Sequence, residues 1–206
     1  MIPYVDNGDQ MLRLLLKAVK SVYASVYFAT SRAYLSSSQN LISEEKMAVI
    51  IQEVCGTEQD GLFFPTFSGV ARSINYYPIG DEAPADGVCN IAMGLGKLVV
   101  DGGRTLRFSP RYPQKVLQTS TPELALRDIA QIAGLRNARF VCSVWDRENE
   151  RISDSPFDRG RKVITFNNIL KYNTFPLADI IGDILRLGAE EMRCPVEVEF
   201  AVNMDV

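Results

Sequence analysis

The segment from Cys194 to Val202 places two carboxylates where they could bind a cation. Glu197 and Glu199 are separated by one residue, and apolar residues alternate with them on both sides. In a β-strand, alternate side chains share one face and lie about 6.5–7 Å apart. Two like charges at this spacing repel each other unless a cation lies beside them, and Mg²⁺ commonly binds one or two carboxylates together with substrate phosphates. The pattern predicts a strand with a candidate metal edge; the alternative is a strand with two solvated glutamates.

A glycine-rich segment with one lysine, Gly94-Leu95-Gly96-Lys97, is a second candidate for binding chemistry. Glycines allow a backbone to approach a phosphate closely, and the lysine adds a positive charge. The spacing does not match a P-loop, in which a second glycine is followed by lysine and a hydroxyl residue. A pair of tight turns is therefore the alternative to a phosphate site.

The apolar run Met47–Val54 predicts a central strand because it is rich in β-branched residues. It ends at Gln52, Glu53 and Val54, just before the glycine turn predicted at 56–60. Such a strand end can offer backbone N–H and C=O groups to the edge of an adenine ring.

Composition limits the class of protein. The chain has 206 residues, 47% of them hydrophobic, which suits one domain or two lobes that share a cleft. No apolar run approaches 18 residues and the N-terminus lacks a basic, apolar leader, so we expect no membrane span and a cytoplasmic location. A net charge of −3 argues against nucleic-acid binding. The four cysteines are far apart in the sequence, which favours free thiols.

The chain contains no histidine. This excludes a Ser-His-Asp triad, a histidine metal ligand and imidazole acid–base catalysis within these residues.

The periodicity predicts alternating helices and strands with no internal repeat. We expect the carboxylate strand to pair with Met47–Val54 or with Ser68–Asn75, because all three have apolar residues suited to one core. Helices are predicted over Gln10–Leu35 with Asn7 or Asp9 as the cap, over Thr121–Ala133 and from Pro176 onward; strands are predicted over Ser68–Tyr77, Val88–Met93, Thr105–Phe108, Arg139–Val144 and Val163–Phe166.

Four segments, in this order, resemble the nucleotide-binding domain of the phosphoenolpyruvate synthase and pyruvate phosphate dikinase family. The family pattern is roughly M-A-V-x-x-Q-x-M-V, S-G-V-x-x-T, G-L-G-E-x-V-V-x-G and P-Q-D-I-E-W. The matching segments here are Met47–Val54, Ser68–Ala71, Gly94–Gly102 and Pro195–Ala201. The helix around Ala18–Ser25 is also similar to that family, so the resemblance covers most of the chain.

The resemblance implies an α+β ATP-grasp lobe, with a mixed, largely antiparallel sheet and flanking helices. It implies that Gln52, Glu53 and Val54 contact adenine and that Glu197 and Glu199 bind Mg²⁺. Lys97 is a candidate for contact with a phosphate or, alternatively, a mark of altered or lost activity. Residues 1–206 would then be a single partial domain, most of the second lobe, with no catalytic residue of its own. An N-terminal lobe, with the family's phosphate-binding lysine and Arg-Ser-Ser motif, and a phosphohistidine domain are the expected partners in the same polypeptide.

Four positions depart from the family pattern. Lys97 stands where glutamate is usual, Glu197 where aspartate is usual, and Arg72-Ser73 where Phe-Thr is common. The resemblance implies an ATP-binding part of a phosphotransferase that phosphorylates pyruvate through the histidine. Lys97 favours the alternative of a non-catalytic, nucleotide-sensing or scaffold relative, and an unrelated α+β interaction module is a third reading.

Overall fold

The computed structural model describes residues 6–37, 47–59, 61–94, 96, 99, 105–126, 138–155 and 157–204. The chain divides into two compact units, Met1–Val54 and Cys55–Val206. No helix of the described residues is long and apolar enough to cross a membrane.

The first unit is helical. It contains α1, Gly8–Ala24, a short 3₁₀ turn, Ser25–Tyr27, and α2, Ala29–Ser37. The predicted cap at Asn7 is confirmed, because its Oδ1 accepts a hydrogen bond of 3.1 Å from the Gln10 N–H.

The single helix predicted over Gln10–Leu35 is interrupted near Ser25. The Ser25 hydroxyl donates a hydrogen bond of 2.7 Å to the carbonyl of Val22, and Phe28 adopts an extended conformation. A serine that bonds to its own turn competes with the helical ladder, and the valine, tyrosine and phenylalanine that follow are weaker helix formers than leucine or lysine.

The central strand predicted over Met47–Val54 is wrong. Residues 47–56 have no regular secondary structure, and Ile50 and Ile51 are 83% and 66% exposed. Strand propensity mostly reflects packing against neighbouring strands, and this run has no paired strand within the described residues. The turn predicted at 56–60 is also incorrect, since Thr57–Gln59 is a strand.

The second unit contains three antiparallel sheets, with strand orders β1-β2, β5-β4-β3-β9 and β7-β6-β8 in the described residues. This arrangement confirms the α+β fold class. The strands are β1 Thr57–Gln59, β2 Leu62–Phe64, β3 Phe67–Arg72, β4 Val88–Met93, β5 Leu106–Phe108, β6 Cys142–Asp146, β7 Arg151–Ser153, β8 Arg161–Ile164 and β9 Glu197–Val202.

The helices of the second unit follow the predictions in part. They are α3 Pro122–Ala125, α4 Ala138–Val141, α5 Asn167–Leu170 and α6 Leu177–Met192. Thr121 caps α3 as predicted, but the predicted continuation to Ala133 lies outside the described residues beyond Leu126. The strand predicted over Arg139–Val144 is replaced by α4 followed by β6. An apolar run of this length does not distinguish a buried helical turn from a buried strand.

The carboxylate strand, β9, pairs with β3, which confirms the second of the two partners predicted for it. One face of the four-stranded sheet is apolar and packs against α6, whose buried residues are Leu177, Ile181 and Leu185. Each such side chain contributes about 1.5–3 kcal/mol when it is fully buried. The sheet residues on this face are Phe67, Ala71, Cys89, Ile91, Met93, Leu106, Phe108, Val198, Phe200 and Val202.

Gly69 occupies a position on the apolar face of β3 where no side chain fits. It lies opposite Phe200 on β9, and a Cβ at this position would lie 2.5 Å from Phe200 Cζ and 2.7 Å from the carbonyl oxygen of Asn90. The aromatic ring covers the glycine, so the glycine of the Ser-Gly-Val segment is required by packing.

Replacing Gly69 with alanine is expected to lower the free energy of unfolding by about 2–3 kcal/mol, because a backbone carbonyl cannot move aside as a flexible side chain can. Gly182 is the matched control, since it lies within α6 and a Cβ there would meet no atom within 4 Å. Gly182→Ala should raise the stability by about 0.5–1 kcal/mol through a better helix propensity. Urea unfolding measures the change in the free energy of unfolding for both variants. Equal effects of the two substitutions would contradict the packing argument.

The three-stranded sheet is held to α5 by the carboxylate of Asp154. This group accepts hydrogen bonds from Ser143 Oγ (3.0 Å), Asn167 Nδ2 (2.7 Å), Lys171 Nζ (3.0 Å) and Tyr172 OH (2.9 Å). Burial opposes ionisation of Asp154, but these four donors together lower its pKa below the ordinary value. The cluster fixes the side of the sheet next to α5.

All four cysteines are free in the structure. Cys89 and Cys142 are buried, and burial raises the pKa of both thiols, that of Cys142 to about 11. Neither of these two thiols is suited to act as a nucleophile.

Candidate functional site

The face of the four-stranded sheet opposite the core contains most of its polar side chains. We call it the polar face. The strand registers place its residues in three rows across the sheet, and adjacent rows are two residues apart along each strand. The rows are Arg107, Asn90, Val70 and Glu199; Val88, Arg72 and Glu197; and Ala92, Ser68 and Ala201.

Glu197 is paired with Arg72. The two residues lie directly opposite each other on β9 and β3, and the Arg72 Nε donates a hydrogen bond to Glu197 Oε2. About half of each side chain is exposed, 49% for Arg72 and 48% for Glu197. Exposed ion pairs of this kind contribute little to stability, so a bound divalent cation can compete for the carboxylate. For Glu197, the Arg72 guanidinium therefore supplies the positive charge that was expected beside the two glutamates.

Glu199 is exposed and makes no hydrogen bond or ion pair with any described residue. It lies opposite Val70, so Arg72 and Ser68 are its diagonal neighbours on β3. Of the two predicted metal ligands, Glu199 is the one whose carboxylate is free to bind a cation without breaking another contact.

The donor set fits Mg²⁺ better than a metal that needs an all-protein cage. The described residues contain no group of three or more His, Cys, Asp or Glu side chains that could hold a metal ion. Mg²⁺ is typically bound by one or two carboxylates and completes its octahedral shell with water and substrate phosphates. Glu197 and Glu199 have the chemistry for that mode of binding, and their role as metal ligands stays a prediction.

The start of the glycine-rich segment lies against the same polar face. Ser68 Oγ donates to the carbonyl of Gly94, and the Gly94 N–H donates to the carbonyl of Thr66 at 3.2 Å. Gly94 has a φ of +81°, which turns the chain sharply after β4, and a Cβ at Gly96 would lie 3.7 Å from Ser68 Cβ. Ser68 faces Ala201, two residues beyond Glu199.

The structure therefore places two of the predicted features, the carboxylate strand and the described glycines, on one face. The predicted phosphate contact at Lys97 lies outside the described residues. Gln52, Glu53 and Val54 belong to the first unit, are exposed and have no regular structure. Their proposed contact with adenine stays a prediction.

The sequence indicated the position of Arg72 but not its partner. Period-two alternation in Ser68–Arg72 places Ser68 and Arg72 on one face, as it does Glu197 and Glu199. The two strands are 125 residues apart at this ion pair. The register that joins them depends on long-range pairing, for which the sequence contains no local signal.

Arg107, also on the polar face, forms an ion pair with Glu82. Its Nη1 and Nη2 donate to Glu82 Oε1 and Oε2 at 3.0 and 2.6 Å. The Glu82 side chain is only 5% exposed, and its Oε2 also accepts from Asn75 Nδ2 at 2.8 Å and from the Ile79 N–H at 3.0 Å. The hydrogen bonds from Arg107 hold the pKa of Glu82 below its ordinary value despite burial. This pair stabilises the loop after β3.

Antiparallel sheets with flanking helices define an α+β domain, and the four-stranded sheet has one apolar face and one polar face. Residues 6–205 match the family model described as pyruvate phosphate dikinase, AMP/ATP-binding domain. The chain belongs to this family, and the match confirms the resemblance drawn from the four segments. No curated protein and no solved structure gave a significant match.

Proposed function

We propose that the chain binds Mg-ATP on the polar face as part of a phosphoenolpyruvate synthase-like phosphotransferase. The observation that supports this most directly is the position of Glu199, a carboxylate that pairs with no described residue and lies on the same sheet face as Gly94 and Gly96. We propose a nucleotide as the ligand because the chain belongs to an AMP/ATP-binding domain family. The proposal includes an ATP-grasp arrangement, in which residues 1–206 form most of the second lobe.

Three residues of the polar face, Glu199, Glu197 and Arg72, have specific roles in this proposal. Glu199 is the first Mg²⁺ ligand, and Glu197 becomes the second when its ion pair with Arg72 opens. The released Arg72 guanidinium then lies next to the metal site and can bind a phosphate through two parallel hydrogen bonds. Bound Mg²⁺ would neutralise charge on the phosphates during phosphoryl transfer. Lys97 is proposed to lie near the same phosphates, and Gln52, Glu53 and Val54 near adenine.

The acceptor is proposed to be a histidine on another domain of the same polypeptide, since this chain has none. A bond forms between an imidazole nitrogen and a phosphorus of ATP while the phosphoanhydride bond on that phosphorus breaks, and the rest of the nucleotide leaves with the bridging oxygen. The N–P bond then breaks as an oxygen of pyruvate takes the phosphoryl group, which restores the imidazole. Phosphoryl transfer depends mainly on positioning and charge neutralisation. We therefore expect residues 1–206 alone to bind ATP weakly and to transfer nothing without the partner lobe.

The ion pair between Arg72 and Glu197 favours a second candidate function, a nucleotide sensor without transfer. In that case Arg72 remains on Glu197, and ATP binding changes conformation or partner binding only.

Incubation of the full-length protein with radiolabelled Mg-ATP distinguishes the two functions. The proposal predicts a phosphoprotein that is labile in acid and stable in alkali, as a phosphohistidine is, and transfer of its label to pyruvate. ATP binding without any such label would support the sensor. Absence of ATP binding would overturn both.

A further inference from the structure

A cleft of about 900 Å³ lies beside the three-stranded sheet, away from the polar face. We call it the arginine cleft. The side chains that determine its chemistry are Trp145, Asp146, Arg147, Glu148, Arg159 and Arg161. Its volume is in the range of small-molecule sites, which are concave and contain a few convergent polar groups.

The walls of the arginine cleft are set by strand pairing and by a close backbone approach. Trp145 on β6 lies directly opposite Arg161 on β8, so the partly buried indole and this arginine share a face. Gly160 has a φ of +149°, and a Cβ there would overlap the carbonyl oxygen of Trp145 and lie 2.6 Å from Val144 Cγ1. Only glycine allows this approach, which holds Arg159 and Arg161 at the edge of β6.

The arginine cleft has an excess of positive charge. The side chains of Arg147, Arg159 and Arg161 make no ion pair or hydrogen bond with any described residue. Two carboxylates also line the cleft, but they do not balance these three guanidiniums.

The Asp146 carboxylate is hydrogen-bonded to residues of its own turn. It accepts hydrogen bonds from Asn149 Nδ2 at 2.6 Å and from the Glu148 N–H at 3.0 Å, and it lies 3.8 Å from Arg151 Nε. The hydrogen bonds from Asn149 contribute most to the lowered pKa of this carboxyl group. Among the described lining residues, Glu148 is therefore the one carboxylate left to oppose the three arginines.

We propose that the arginine cleft binds a nucleotide-type ligand, with a phosphate group on the arginines and a planar ring against Trp145. Guanidinium groups match phosphate oxygens in a bidentate geometry, and an indole face stacks on any heterocyclic base. This site lies on a different sheet from Glu199, so it would be a second nucleotide site and does not depend on the proposed function.

Fluorescence titration tests this proposal directly, because Trp145 is the one tryptophan in the sequence. AMP added to the 206-residue chain should quench the emission in a saturable way. Arg159→Gln and Arg161→Gln should each weaken the apparent affinity at least tenfold, whereas Glu148→Gln should strengthen it severalfold. The matched control is Arg186→Gln on α6, which is paired with Asp183 and Glu190 and should leave the affinity unchanged.

Two further ligands test separately how much the phosphate and the ring of AMP contribute to the affinity. Ribose 5-phosphate and adenosine should each bind at least tenfold more weakly than AMP. Glu199→Gln should leave the AMP titration unchanged, which distinguishes this site from the polar face. Absence of saturable quenching, equal affinity for either half of the ligand, or loss of the signal in Glu199→Gln would each overturn the proposal.

Discussion

Replacing Glu199 with glutamine is expected to lower ATP-dependent histidine phosphorylation in the full-length protein by at least about 10²-fold. A single group that stabilises transition-state charge commonly contributes about 10²–10³-fold, and loss of a metal carboxylate also weakens positioning of the phosphates. Thermal stability should hold or rise slightly, because the substitution keeps the shape of the side chain and removes a like charge beside Glu197. A phosphorylation assay and a melting curve on the same preparation measure both effects.

The matched control is Glu191→Gln, an exposed glutamate on α6. Its substitution changes the net charge equally and should leave the rate near that of the wild type. If Glu199→Gln also retained the wild-type rate, the metal-ligand role would be wrong. Glu197 and Glu199 would then be two solvated side chains on the exposed face of a strand.

Replacing Glu82 with glutamine is expected to lower the free energy of unfolding by about 2–3 kcal/mol. Breaking a buried ion pair by removing one partner typically costs about 3–5 kcal/mol, and the effect is smaller here because Arg107 remains 20% exposed. Glutamine keeps the volume but cannot accept both guanidinium hydrogen bonds as a carboxylate does. Chemical unfolding of the two proteins at neutral pH measures the difference.

The neighbouring residue supplies the control. Asp81 forms an ion pair of 2.5 Å with Lys115, but both side chains are mostly exposed. Asp81→Asn should therefore leave the free energy of unfolding close to that of the wild type. A comparable loss in both variants would mean that burial does not determine the contribution of Glu82.

Acid should remove the contribution of Glu82 in a predictable direction. Its pKa is lower in the folded chain than the ordinary 4.5, chiefly because of Arg107, so the unfolded chain takes up the proton first as the pH falls. The stabilisation is fully present above the ordinary pKa and is lost as the pH falls through the lowered value. The stability difference between wild type and Glu82→Gln should therefore shrink below about pH 4.5.

The sequence predicted two strands of the four-stranded sheet closely. Glu197–Val202 alternates between exposed and partly buried residues as expected, and Val88–Met93 has the predicted bounds. Met47–Val54 failed because a continuous apolar run specifies hydrophobicity but not a pairing partner. Arg139–Val144 failed for a similar reason, since its first half forms a helical turn.

The candidate site was predictable only in its local parts. The shared face of Glu197 and Glu199 follows from their spacing alone. The ion pair of Glu197 with Arg72, and the contact of Gly94 with Ser68, depend on which strands become neighbours. Glu82 gave no signal in the sequence, because its ion-pair partner Arg107 lies 25 residues away on another element.

The most direct test of Mg-ATP binding on the polar face is calorimetric titration of the full-length protein with ATP, with and without Mg²⁺. The proposed site predicts that Mg²⁺ strengthens ATP binding at least tenfold, that this increment disappears in Glu199→Gln, and that it persists in Glu191→Gln. An increment that survives unchanged in Glu199→Gln would contradict metal binding at this carboxylate.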